Sequence, residues 1–187
     1  MIRSFLAIEL PAAIKQRLAE TNARLKEIPS AFKWVRPDQT HLTLKFFGSI
    51  SQDLLAQIGE ILPPFLAGEK PFSITLRGFG GFPNFTRPRV IWIGLGGEKD
   101  RLIELQKNMD DLLASLGIPR EERPFQPHLT LGRNKTKELN LSFKELLAQW
   151  ERDESDPFEI REVILFRSDL RPAGPIYTKL KVMPLRV

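Results

Sequence analysis

One tetrapeptide occurs twice in the 187-residue chain and constrains the fold more than any other feature. His41-Leu42-Thr43-Leu44 returns as His128-Leu129-Thr130-Leu131, and the chain has 2 histidines in all. The flanks repeat too: Pro37-x-Gln39-x-His41 answers Pro124-x-Gln126-x-His128. In an extended strand alternate side chains share a face. Each His therefore points the same way as its Thr, roughly 6–7 Å apart, while the two Leu residues point into a core. Two such strands brought together place two imidazoles and two hydroxyls around one small space. That set supplies a general acid, a general base and two hydrogen-bond donors, which suits chemistry on a phosphodiester.

The rest of the chain repeats at nearly the same interval. Phe5 aligns with Ile91, His41 with His128, and Phe72-x-Ile74 with Phe158-x-Ile160, at offsets of 86, 87 and 86 residues. Each half reads strand, helix, motif strand, helix, strand, which points to an internal duplication. The expectation is an α+β fold in one bilobal domain over residues 1–187, with repeats spanning about 2–80 and 89–185. Two largely antiparallel sheets face a central cleft, with helices packed outside. The strands after residue 72 can join either sheet.

In chain order, residues 2–10 read as a strand and Pro11 opens a helix to about Lys26, with Ile14, Leu18 and Leu25 on its inner face. A short strand covers Phe32 to Val35, residues 36–39 turn, and the first motif strand runs over 41–47, ended by Gly48. Ser51 is a helix N-cap, and the helix stops or bends at Pro63-Pro64. Residues 72–77 alternate as a strand, 78–88 form a Gly/Pro/aromatic loop, and 89–95 form a buried strand. Gly94-Leu95-Gly96-Gly97 lacks the further residues of a nucleotide-binding loop and reads as a turn. A helix with Leu102, Leu105, Met109, Leu112, Leu113 and Leu116 stops at Gly117. The second motif strand ends at Arg133, a short amphipathic helix covers 143–150, one strand covers 158–168, and a last strand covers 176–183.

Composition limits the function classes. The chain has no cysteine, so disulfides and thiolate metal sites are excluded. Its net charge of +5 favours an anionic partner, although a solvated charged surface gives the same number. The apolar start is too short for a signal peptide, no stretch approaches the ~20 apolar residues of a membrane span, and a cytoplasmic protein is expected. The two histidines have no acidic residue at ligand spacing beside them, which makes a poor zinc set, and nothing resembles a nucleophile elbow. No metal and no cofactor is expected.

The two His-x-Thr-x motifs resemble those of the two-histidine (2H) phosphoesterase superfamily. More closely, the chain is similar to the RNA 2′,3′-cyclic phosphodiesterases, also called 2′-5′ RNA ligases. The resemblance runs through Arg3-Ser4-Phe5-Leu6-Ala7-Ile8, Trp34-Val35, His41-Leu42-Thr43-Leu44-Lys45-Phe46-Phe47-Gly48, Phe82-Pro83, Arg87-Pro88-Arg89-Val90-Ile91-Trp92 and Pro127-His128-Leu129-Thr130-Leu131-Gly132-Arg133. It implies a metal-independent phosphoric diester hydrolase that opens a 2′,3′-cyclic phosphate to a 2′-phosphate and in some members joins RNA ends in reverse. By the same resemblance His41 donates a proton to the leaving 3′ oxygen, His128 accepts one from water, and Thr43 and Thr130 hold the phosphate oxygens. The implied partner is an RNA with a 2′,3′-cyclic phosphate end, tRNA fragments among them, bound by a monomer away from any membrane.

Two cations are further candidates for binding the substrate. Lys45 shares a face with His41 and Thr43 by strict alternation, or is a solvated strand-end Lys. Arg133 has the other parity from His128, but strand ends twist and the resemblance favours a phosphate or RNA role. Phe46, Trp34, Phe82 and Tyr177 each read as core packing, with stacking on a base the alternative. Two other readings stay open: a 2H enzyme for small cyclic phosphates or 2′-5′ oligonucleotides, and a non-catalytic RNA-binding module.

Overall fold

The computed structural model describes residues 1–27, 32–84, 88–134, 154–172 and 174–186. The helix expected over 143–150 lies outside these residues, as do 85–87 of the expected 78–88 loop. The chain runs β1 (Ile2–Glu9), α1 (Ala12–Lys26), β2 (Phe32–Trp34), a 3₁₀ turn at Pro37–Gln39, β3 (His41–Ile50), α2 (Gln52–Ala67) and β4 (Phe72–Phe82). It continues with β5 (Val90–Gly97), α3 (Lys99–Ala114), β6 (His128–Asn134), β7 (Phe158–Ile160), β8 (Glu162–Asp169) and β9 (Ile176–Pro184).

The strands form two antiparallel sheets, ordered β3-β1-β8-β9 and β2-β6-β5-β4-β7. Each motif strand lies beside the strand that opens its half, β3 on β1 and β6 on β5. The following strands are exchanged: β4 joins the second sheet and β8 the first. The repeated Phe-x-Ile segments pair reciprocally at the crossing, Phe72 opposite Ile160 and Ile74 opposite Phe158. The strand expected over 158–168 is thus two strands in different sheets, broken at Arg161.

The pairing registers correct one alignment. Leu6 pairs with Lys45 and Ile91 with Gly132, so Leu6, not Phe5, is the counterpart of Ile91. They also reveal a shared irregularity. Between Leu6/Lys45 and Ala7/Thr43 the register skips Leu44, and between Ile91/Gly132 and Trp92/Thr130 it skips Leu131. Both motif strands therefore bulge at the last Leu of the tetrapeptide. Leu44 and Lys45 are buried in succession, and so are Leu131 and Gly132. Beyond the bulge the in–out alternation is reversed.

The two central strands of the first sheet, β1 and β8, are buried on both faces. Leu6 and Ile8 join the main core with α1, α2 and α3, while Phe5, Ala7, Ile164 and Phe166 form a second cluster on the opposite face. Ser51 caps α2, its hydroxyl accepting from the Leu54 N–H at 3.1 Å. α2 does not stop at Pro63. Proline at 63 cannot donate to the Gly59 carbonyl, and the Lys181 ammonium on β9 does so instead at 2.6 Å. Gly48 sits inside β3 at φ +69° rather than ending it. Residues 78–82 extend β4, and Gly94–Gly97 belong to β5. An added Cβ at Gly94 would lie 2.8 Å from the Arg77 carbonyl oxygen, and one at Gly96 would lie 2.6 Å from the Thr75 hydroxyl. These glycines let β4 and β5 approach each other closely.

Candidate active site

β3 and β6 belong to different sheets, yet their Cα atoms come within 8 Å of each other. His41, Thr43, His128 and Thr130 line one cleft of about 480 Å³ between them. The two imidazoles are held in the same way. His41 Nδ1 lies 3.0 Å from the Gln39 carbonyl oxygen, and His128 Nδ1 lies 2.7 Å from the Gln126 carbonyl oxygen. A carbonyl only accepts, so Nδ1 carries the proton in both rings and Nε2 is left to the cleft. The repeated Pro-x-Gln-x-His flank thereby acquires a role. The carbonyl two residues before each His sets its tautomer and its angle, and the Gln39 side chain donates to the Pro175 carbonyl at 2.9 Å.

Aromatic rings hold each imidazole in place. His41 stacks on Phe5 at 4.7 Å between centroids and meets the edge of Tyr177 at 5.1 Å. His128 meets the edge of Phe82 at 5.0 Å and lies 5.9 Å from Trp92. Of the four aromatics weighed between core packing and stacking on a base, Phe82 packs on His128, Tyr177 packs on His41 and lines the cleft, and Trp34 lines it too. Phe46 is 46% exposed, outside the core. Phe5 and Trp92 were not expected at the site. Each lies in an apolar strand and reads as core from sequence, with no signal that its ring faces a histidine.

Burial pushes both imidazoles below their ordinary 6.5. The Gln39 and Gln126 carbonyls act in the opposite direction, and the positive charges of Lys15 beside His41 and Arg133 beside His128 lower them further. Burial raises the Tyr177 hydroxyl above 10.0, and Arg133 and Arg3 pull it back, which places that hydroxyl in the field of both cations.

The bulges decide the fate of the two candidate cations. Lys45 falls just past the bulge at Leu44 and turns away from the cleft, 5% exposed. Its ammonium lies 2.5 Å from an Asp110 oxygen and 3.2 Å from Glu121 Oε1, and donates to the Pro119 carbonyl at 2.7 Å. Strict alternation fails for it because the strand is not regular there. Arg133 falls one residue beyond the equivalent position, and the bulge at Leu131 returns it to the face of His128 and Thr130. Its exposed guanidinium lines the cleft, and among the described residues no carboxylate pairs with it. Lys33 and Arg36 add positive charge at the same wall, Arg36 bound to Asp38 at 2.6 Å. Among the described residues no three His, Asp or Glu side chains gather into a group able to hold a metal ion.

The LigT like Phosphoesterase family matches the chain twice, over residues 8–92 and 93–177, one match to each half. The chain belongs to this family. The RNA 2′,3′-cyclic phosphodiesterase of Methanothermobacter thermautotrophicus is 36% identical over 98% of this chain and 99% of its own length. A Thermus thermophilus protein of known structure superposes with a TM-score of 0.75, at 30% identity over 99% of this chain and 98% of its own. E. coli LigT, crystallised with 3′-AMP, superposes with a TM-score of 0.73, at 28% identity over 98% of each chain. This LigT-like chain is a phosphodiesterase, and its two facing antiparallel sheets are those of the 2H phosphoesterase fold. No helix among the described residues is long and apolar enough to cross a membrane.

Proposed function

We propose that the chain hydrolyses the 2′,3′-cyclic phosphate end of RNA to a 2′-phosphate by two-histidine acid–base catalysis. One observation carries the reading: two imidazoles at equivalent repeat positions, each with Nδ1 tied to the carbonyl two residues before it and Nε2 left to the same cleft. In-line opening of the ring needs a base on the attacking water and an acid on the leaving oxygen. Each is worth ~10²–10⁴-fold. His41 donates to the 3′ oxygen and His128 takes the water proton. The Thr43 and Thr130 hydroxyls donate to non-bridging oxygens, and Arg133 pairs with the phosphate. Burial alone would keep both rings neutral, but an anionic phosphate between them favours the imidazolium that the acid requires. The two roles exchange when a 5′ hydroxyl replaces water, so the same residues join ends by a 2′–5′ linkage.

The experiment is hydrolysis of a short RNA bearing a 2′,3′-cyclic phosphate, with chelator present, by wild type, His41→Ala and His128→Ala. A 2′-phosphate product from wild type alone is expected. Undiminished product from either variant, or none from wild type, overturns the reading.

A second reading is a small cyclic phosphate as substrate. A cleft of about 480 Å³ is the size of an ordinary small-ligand site, and E. coli LigT has been crystallised with a mononucleotide. Comparing mononucleotide and oligonucleotide substrates separates the two, since binding along an RNA strand weakens steeply with salt.

A further inference from the structure

We propose that a groove beyond His128 binds the 5′-hydroxyl end of a second RNA strand, which brings the nucleophile in the joining direction. This rests on the acid–base assignment above. A hollow of about 930 Å³ shares Thr43 and His128 with the catalytic cleft but reaches neither His41 nor Thr130. With His41 on the leaving oxygen and His128 on the nucleophile, this hollow opens on the side from which attack comes. Water needs no such space, whereas a nucleoside carrying the attacking hydroxyl does.

The lining suits that occupant. Phe46 is 46% exposed, and Phe125 and Phe82 are half-buried beside it in the same groove. Ring faces of this kind hold bases without regard to sequence. Arg3 lies 4.5 Å above Phe46, fixing the ring from one side and adding charge. Arg89 and Arg123 line the groove, and among the described residues neither has a carboxylate partner, which leaves both for backbone phosphates. Glu121, a carboxylate on the wall, is turned onto Lys45 at 3.2 Å.

The wall is also built in advance. Lys45 donates to the Pro119 carbonyl, and the Glu121 N–H donates to Asp110 at 2.8 Å, so the loop leading to Gln126 hangs from a buried ion pair. A preformed wall lowers the ordering cost of binding. The repeat explains the asymmetry of the two hollows. Phe46 and Arg133 occupy equivalent places two residues past the bulged Leu, so one half presents an aromatic ring where the other presents a cation to the phosphate.

The step balances without a co-reactant. The 5′ oxygen attacks phosphorus in line with the 3′ oxygen and gives its proton to His128. The P–O3′ bond breaks, its electron pair stays on O3′, and O3′ takes the proton of His41. The phosphate remains on O2′ as a 2′–5′ diester.

The test mixes an RNA bearing a 2′,3′-cyclic end with rising concentrations of a 5′-hydroxyl oligonucleotide. The early ratio of 2′–5′-joined to hydrolysed product is followed for wild type, Phe46→Ala and Arg123→Gln, with methanol as a nucleophile that needs no subsite. The ratio is expected to saturate with the oligonucleotide but not with methanol. Half-saturation should rise about tenfold in each variant, with hydrolysis in the absence of acceptor unchanged. Continued hydrolysis with no joined product, with a ratio that never saturates, or with a ratio equal in all three proteins removes the second-strand site and leaves the hydrolase. No hydrolysis by wild type removes both.

Discussion

The ammonium nitrogen of Lys45 lies 2.5 Å from a carboxylate oxygen of Asp110, 65 residues away in sequence, with both side chains almost excluded from solvent. This pair joins the first motif strand to α3. Through the second Asp110 oxygen it also holds the loop that leads to the second motif strand. Removing one member of a buried pair strands the other's charge, at a cost of about 3–5 kcal/mol. Lys45→Met should lose stability in that range by urea unfolding. Lys45→Met with Asp110→Leu should recover the larger part, because no buried charge is then left unpaired and the Glu121 carboxylate that also loses Lys45 is half exposed. A single-variant loss under about 1 kcal/mol would show that the Glu121 backbone N–H and solvent already satisfy the Asp110 carboxylate.

The motif strands and their convergence were legible because period-2 alternation and two histidines survive without any tertiary knowledge. The bulge was not. A one-residue slip at Leu44 or Leu131 leaves no mark in composition, yet it sends Lys45 to an ion pair and Arg133 to the cleft. α2 continues through Pro63 because a lysine 122 residues away satisfies the Gly59 carbonyl, a partner no local rule can supply. Gly94–Gly97 read as a turn because clustered glycine usually is one; here the glycines serve close strand approach. Alternation tells which face of β4 is buried, and the apolar run of β8 marks it as a core strand, but neither says which sheet receives the strand, so their exchange was left open.

Gly80 leaves the space in which Trp92 lies. An added Cβ would run into the indole ring at Cζ2, and that indole is 5.9 Å from the His128 ring. Gly80→Ala should therefore displace Trp92, costing about 1–3 kcal/mol as overpacking. It should also shift the His128 imidazole resonance more than that of His41. With 2 histidines in the chain, the NMR spectrum separates them. Unmoved imidazole signals with unaltered stability would sink this account of the indole's role.

Arg133 presents a planar fork and Lys a single point charge, so the two are not equivalent toward a phosphate. Arg133→Lys should raise KM several-fold while keeping most of kcat. Arg133→Gln, with no charge, should do worse, by an amount equivalent to about 1.5–3 kcal/mol for a charged hydrogen bond. Equal KM values for wild type and both variants would remove Arg133 from the phosphate.

Burial lowers both imidazoles, and this fixes the direction of two pH responses. The pH profile of kcat/KM follows the free enzyme, so its maximum should fall on the acid side of pH 6.5. The profile of kcat follows the complex, where the bound phosphate favours imidazolium, and its maximum should lie at higher pH. Stability responds as well. Each histidine's folded value lies below its unfolded one, so between the two the unfolded chain binds more protons. Stability from these groups is therefore present above pH 6.5 and is lost as pH falls through the depressed values. Urea unfolding from pH 7 to pH 5 should show this slope in wild type and a shallower one in His41→Asn with His128→Asn. Equal slopes would mean that the imidazoles are solvated in the folded protein, and a kcat/KM maximum above pH 7 would agree with that.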